Sequence, residues 1–124
     1  MNQRTTLLIA STFGLLAVGL GAFGAHALKA VLTETGRNET YELAVRYQFY
    51  HTLALLGIGI LMEKSPKLKT AALFFTVGII IFSGSLYTLA LTNQTLWGAV
   101  TPIGGIFLLA GWLTLGWTVY QNKS

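Results

Sequence analysis

At 124 residues the chain has the length of a single domain, but 53% of its residues are hydrophobic and only 10% charged, against roughly 25% charged in a soluble domain. It contains no Cys, which excludes a disulfide framework, a thiolate nucleophile and a thiolate metal site. The net charge of +4 comes from eight Lys and Arg against four Glu with no Asp; these cations lie between apolar runs, which excludes the basic face of a nucleic-acid binder and suits orientation in a bilayer.

From Thr5 to Ala25 no side chain carries a formal charge. These ~21 residues, at a rise of ~1.5 Å each, match the ~30 Å of bilayer hydrocarbon and predict a first crossing over 5–25. Arg4 and the Ala25-His26-Ala27 triplet also fit a cleavable leader. The apolar run is longer than a usual leader's and further spans follow, so a retained crossing is expected. Within it, Gly19-Leu20-Gly21-Ala22-Phe23-Gly24 spells the dinucleotide fingerprint. That fingerprint works as a turn between a strand and a helix, and these glycines lie inside a helix-length apolar run. Ala17, Gly21 and Ala25, repeating every four residues with Gly24 alongside, instead predict a small-residue face that admits a close helix neighbour. The expected neighbour is the second crossing, which would place His26 near Gln48 and His51.

The stretch from His26 to Arg46 carries Lys29, Glu34, Arg37, Glu39, Glu42 and Arg46. Leu28, Val31 and Leu32 recur at helical spacing and Gly36 is a stop signal, so a short amphipathic helix at the membrane surface is predicted, with Asn38 capping the next helix. The uncharged run from Tyr47 to Met62 is short for a crossing, so the second span is drawn from about 40 to 62 with its first turns among the headgroups. Lys64, Pro66, Lys67 and Lys69 form a basic loop. A third span is predicted over 70–92 and a fourth over 96–120, joined by Asn93-Gln94-Thr95. Pro102, followed by Gly104 and Gly105, predicts a bend or a loosened turn near the start of the last span. Trp97, Trp112, Trp117 and Tyr120 are read as candidate interfacial anchors. Arg4, Lys64, Lys67, Lys69 and Lys123 on one side outweigh Lys29, Arg37 and Arg46 on the other, so both termini are expected in the cytoplasm, in a bacterial plasma or inner membrane. The fold class is therefore all-α: one integral membrane domain over 1–124, a four-helix bundle with a short interfacial amphipathic helix after the first span.

Polar groups at membrane depth are costly and turn toward a bundle interior. His26, Tyr47, Gln48 and His51 are such groups, and the last three share one helix face. Phe82-Ser83-Gly84-Ser85-Leu86-Tyr87 adds two hydroxyls and a phenol in mid-span. The cluster His26, Tyr47, Gln48, His51, Ser83, Ser85 and Tyr87 reads either as a proton relay or polar gate, or as hydrogen bonds that fix the register of the helices. Haem would need His26 and His51 facing each other at matched depth, and a metal ion lacks further ligands. A serine nucleophile finds no Asp to orient His51. No catalytic residue, metal or cofactor is expected, and the chain is not read as an enzyme.

Taken together, Gly21-Ala-Phe-Gly-Ala-His26, Tyr47-Gln48-x-x-His51, Phe82-Ser-Gly-Ser-Leu-Tyr87 and Thr101-Pro-Ile-Gly-Gly105 with Gly111-Trp112 resemble the family catalogued as domain of unknown function 423, to which the transmembrane protein 256 group is similar. The resemblance runs over essentially the whole chain. It implies a small four-helix protein of the inner or plasma membrane with these motifs as its signature, and it implies no activity. The expected role is structural or accessory, with the lipid bilayer, a second copy or another membrane protein as partner and no nucleic acid. The alternative is an oligomeric transporter or channel for a small solute or protons, using the same cluster.

Overall fold

The computed structural model describes residues 1–122; Lys123, counted above among the cytoplasmic cations, lies outside the described residues. Five α-helices form: α1 Gln3–Ala25, α2 Lys29–Thr35, α3 Asn38–Leu61, α4 Lys69–Thr92 and α5 Thr101–Gln121. No strand occurs among the described residues. Three stretches are long and apolar enough to cross a membrane, those of α1, of α4 with the turn before it, and of α5 with the turn before it. α3 falls short of that measure, because Arg46, Gln48 and His51 follow the glutamates of its first turns.

Local chemistry sets the helix ends. The side chain of Asn2 accepts from the Thr5 amide at 2.8 Å and starts α1, an ordinary N-cap. α2 stops at Gly36, whose φ of +72° lies in the left-handed region that a residue without Cβ enters freely. Asn38 does not cap α3 as expected. Arg37 holds the cap position, while the Asn38 amide Nδ2 donates to Thr33 Oγ1 at 2.9 Å and ties α3 to the end of α2. α4 ends at Asn93, also left-handed at φ +57°.

The last helix differs most from expectation. It begins at Thr101 rather than Leu96, after a 3-10 turn over Thr95–Ala99. Pro102 consequently lies in the first turn of α5 and not at a bend inside it. Its missing N–H costs nothing there, because first-turn amides have no intrahelical partner. Gly104 is buried for a second reason: a Cβ would collide with the backbone of Phe82 on α4. Gly105 beside it is only half-buried, facing the Phe82 ring loosely. The loosened turn expected near Pro102 corresponds to the 3-10 turn that precedes α5, while Gly104 serves the close approach of α5 to α4.

α1 packs on α3, α3 on α4 and α4 on α5, with little contact between α1 and α4. α4 is the central member: 44% of its apolar window is buried, against 17% for α1 and for α5. Its Phe75 is buried together with Leu55, Ile58 and Leu68 around it. Outward, Leu15, Leu109 and Leu113 are 74%, 71% and 76% exposed. An apolar exterior of this kind is the inverse of a soluble surface and fits a hydrocarbon solvent. At one end of the molecule Arg37 Nε donates to Asn93 Oδ1 at 2.7 Å. At the other, Gln3 Nε2 donates to the Gly59 carbonyl at 3.0 Å and Asn122 approaches Ser65, so both ends of the described chain lie at that end.

Candidate functional site

One face of α3 organises the interior. Tyr41, Ala44, Gln48, His51 and Leu55 recur at three- and four-residue spacing and are all buried, the stripe that a helix turns toward its neighbours. On the facing side α1 offers Ala17, Gly21 and Gly24. Ala17 and Gly24 are buried, a Cβ on Gly21 would stand 3.3 Å from Val45, and one on Gly24 would strike the Tyr41 ring. The small-residue face therefore meets α3. Ala25 is exposed and is not part of it.

The polar side chains on this stripe bridge helices in successive layers. Tyr41 donates to the Leu20 carbonyl of α1 at 2.5 Å, and its ring meets Tyr87 edge-on at 5.2 Å. Gln48 joins three helices: Nε2 donates to the Phe13 carbonyl of α1 at 2.8 Å, and Oε1 accepts from the Tyr87 hydroxyl of α4 at 2.6 Å. Ser83 donates from α4 to the Ala44 carbonyl of α3 at 2.7 Å. Ser85 shares a 2.6 Å hydrogen bond with Thr101 Oγ1 of α5, and its hydroxyl also lies 2.9 Å from the carbonyl of Phe82. Each of these bonds satisfies a group that hydrocarbon would leave unpaired.

His51 closes the layer below. Its Nδ1 lies 2.9 Å from the Tyr47 carbonyl, and its Nε2 faces the Trp112 indole N–H of α5 at 3.0 Å. A carbonyl only accepts and an indole only donates, so Nδ1 carries the hydrogen and Nε2 accepts. Both ring nitrogens are engaged, and neither is left for an axial metal. Among the described residues no three His, Asp or Glu side chains group as metal ligands. Around the imidazole, Tyr47 stacks on Phe82 at 4.6 Å and Phe75 meets Trp112 edge-on at 5.0 Å. Tyr47, Tyr50, His51, Phe82, Leu109 and Trp112 border a cleft of about 570 Å³ between α3 and α5, open on its outer side. Thr52 Oγ1, one residue on, is buried without a partner.

His26 does not join the cluster. It caps the end of α1 and is exposed; the contact with α3 is made by Gly21 and Gly24, which present other directions around the helix. Tyr41, Thr101 and Trp112 belong to the network and were not assigned to it from the sequence. Tyr41 could have been found, since it sits seven residues before Gln48 on the same stripe. Trp112 lies mid-helix and donates to His51, so the anchor reading does not apply to it; Trp117 and Tyr120 stack at 5.8 Å near the end of α5 and are exposed.

Comparison with known proteins assigns the chain to a family. Residues 20–105 match the family described as protein of unknown function (DUF423). The chain is 41% identical over 116 residues to the UPF0382 inner membrane protein YgdD of Escherichia coli K12, covering 90% of this chain and 86% of that protein. It is 42% identical over 114 residues to a UPF0382 membrane protein of Staphylococcus haemolyticus, covering 91% and 93%. A UPF0382 membrane protein of Staphylococcus epidermidis is 43% identical over 114 residues at the same coverage. No solved structure matches the chain.

Proposed function

The chain belongs to the DUF423 family of membrane proteins, and from that premise we propose that it is a structural or accessory protein of the bacterial plasma membrane with four crossings. In this reading α3 is the fourth crossing beside α1, α4 and α5, entering with Glu39, Glu42 and Arg46 at headgroup depth. α2 lies along the interface, holding Leu32 inward and Lys29 and Glu34 outward. The basic residues Arg4, Lys64, Lys67 and Lys69 keep the end bearing Gln3 and Asn122 in the cytoplasm.

The observation that carries the accessory role is Gln48. An amide at membrane depth is expensive, and here its donor goes to a carbonyl of α1 while its acceptor takes the Tyr87 hydroxyl of α4. Ser83 and His51 are likewise taken up by neighbouring helices. Side chains used this way hold a scaffold in register. The cleft beside His51 is what favours the transport alternative. Proteoliposome flux of protons and small solutes separates the two, measured alongside the melting temperature of His51→Ala and Gln48→Leu. The accessory reading expects both variants to melt lower and no flux from any form. A wild-type flux abolished by His51→Ala at unchanged melting temperature overturns it.

A further inference from the structure

We propose that the pocket between the end of α1, α2 and the start of α3 binds the phosphoethanolamine headgroup of a membrane lipid. The pocket has a volume of about 230 Å³ and is walled by Gly21 and Ala25 of α1, Leu32 of α2, and Tyr41, Glu42 and Arg46 of α3. One carboxylate and one guanidinium thus border the same space beside mostly small, apolar walls, with the Asn38 amide as a further polar group. Both side chains are exposed, so their charges are available to a ligand.

The order of the two charges identifies the ligand. Glu42 precedes Arg46 by about one turn, or ~6 Å along α3. The inference rests on the reading of α3 as a crossing that enters the membrane at its N-terminal end. In that setting Glu42 is the outer charge and Arg46 the deeper one. A zwitterionic lipid presents the same order reversed in sign: its phosphate sits next to the glycerol, and its ammonium reaches outward on a two-carbon link of similar length. Arg46 therefore meets the phosphate, for which a guanidinium is a suited donor, and Glu42 meets the ammonium. An anionic headgroup without an amine would leave Glu42 facing like charge. A quaternary amine is bound best by an open aromatic face. Tyr41 offers none, being 2% exposed with its ring against Gly24 and Tyr87. A primary ammonium, which donates hydrogen bonds to a carboxylate, is the better match.

The same chemistry occurs in a phospholipid and in free phosphoethanolamine; the small, apolar walls favour the lipid. The test is native mass spectrometry of the full chain released from mixed micelles containing phosphatidylethanolamine, phosphatidylcholine and phosphatidylglycerol of matched acyl chains. The expected result is preferential retention of phosphatidylethanolamine, lowered about five-fold by Arg46→Gln or by Glu42→Gln, the scale of one partly exposed charge pair. The charge-swapped variant Glu42→Arg/Arg46→Glu keeps net charge and composition and should lose the preference entirely. Equal retention of the three lipids by the wild type, or a preference surviving the swap, overturns the proposal. Should the swapped variant not fold, the two neutralised variants decide by the same criterion. Displacement of the lipid by an equal concentration of free phosphoethanolamine overturns the lipid as source. Because the chain has no Cys, labelling of Glu39→Cys and Lys64→Cys from either side of the membrane tests the crossing separately. Opposite-side labelling without lipid preference sinks this inference alone, whereas same-side labelling sinks the crossing beneath it.

Discussion

The two sides of α4 are built by different means. Toward α3 and α1, contact is made through hydrogen bonds from side chains: Ser83 to the Ala44 carbonyl, Tyr87 to Gln48, and Gln48 on to Phe13. Toward α5 it is made mainly by removing side chains, with Gly104 against the Phe82 backbone and Gly111 against the Phe75 ring. Lipid tails are as apolar as leucine, so burial of apolar surface gives little net drive for helices to associate in a bilayer. What remains is close packing or polar ties; on the α3 side of its central helix this molecule relies mainly on ties, and on the α5 side mainly on packing, with the Ser85–Thr101 bond added. The packed side should fail abruptly when perturbed, and the tied side in small increments.

The largest effect is expected on the packed side. Gly104→Leu places a branched side chain where a single carbon already collides with Phe82, and it should destabilise the fold by about 3 kcal/mol, read as a fall in detergent melting temperature. If that variant melts with the wild type, the contrast between the two sides is broken. Next comes the tied side, where Gln48→Leu removes two interhelical bonds and strands the Tyr87 hydroxyl. At the modest worth of such bonds in membranes it should cost about 1.5 kcal/mol. Tyr87→Phe added to Gln48→Leu should cost little more, and a large additional loss would show that the two groups do not act as one tie. The smallest effect has the opposite sign. Thr52→Val discards a buried hydroxyl without a partner while keeping the shape of the side chain, and it should raise stability by up to about 1 kcal/mol.

Much of this interior was legible because polar residues stand out in an apolar chain. Gln48, His51, Ser83 and Tyr87 could be grouped from spacing and cost alone, and Gly36 ended its helix where a glycine should. Direction around a helix was harder to read. At ~100° per residue, Gly24 lies only ~20° from Ala17, whereas Ala25 lies ~80° away; the four-residue repeat looked regular in the sequence and drifted off the contact in three dimensions. His26, a further turn of ~100°, follows Ala25 to the exposed side. Trp112 is hard to place from sequence for a related reason. A tryptophan in a membrane helix fits an interface or a buried acceptor equally well, and only the position of His51 on another helix decides. The predicted span 96–120 matches the apolar stretch Thr95–Gln121, but its first residues form a 3-10 turn and Pro102 opens the α-helix proper, a division that hydropathy alone does not show.

The pairing of Trp112 with His51 also limits what this region can conduct. Relay of protons along hydrogen bonds requires every member to take a proton on one side and release one on the other. The indole nitrogen has no lone pair to offer, and the Tyr47 carbonyl on the far side of the imidazole has no hydrogen to pass on. The sequence Trp112, His51, Tyr47 carbonyl is therefore a cul-de-sac for a hopping proton at both of its ends. Turning the imidazole into a link in a wire would first require the Trp112 indole to swing off Nε2.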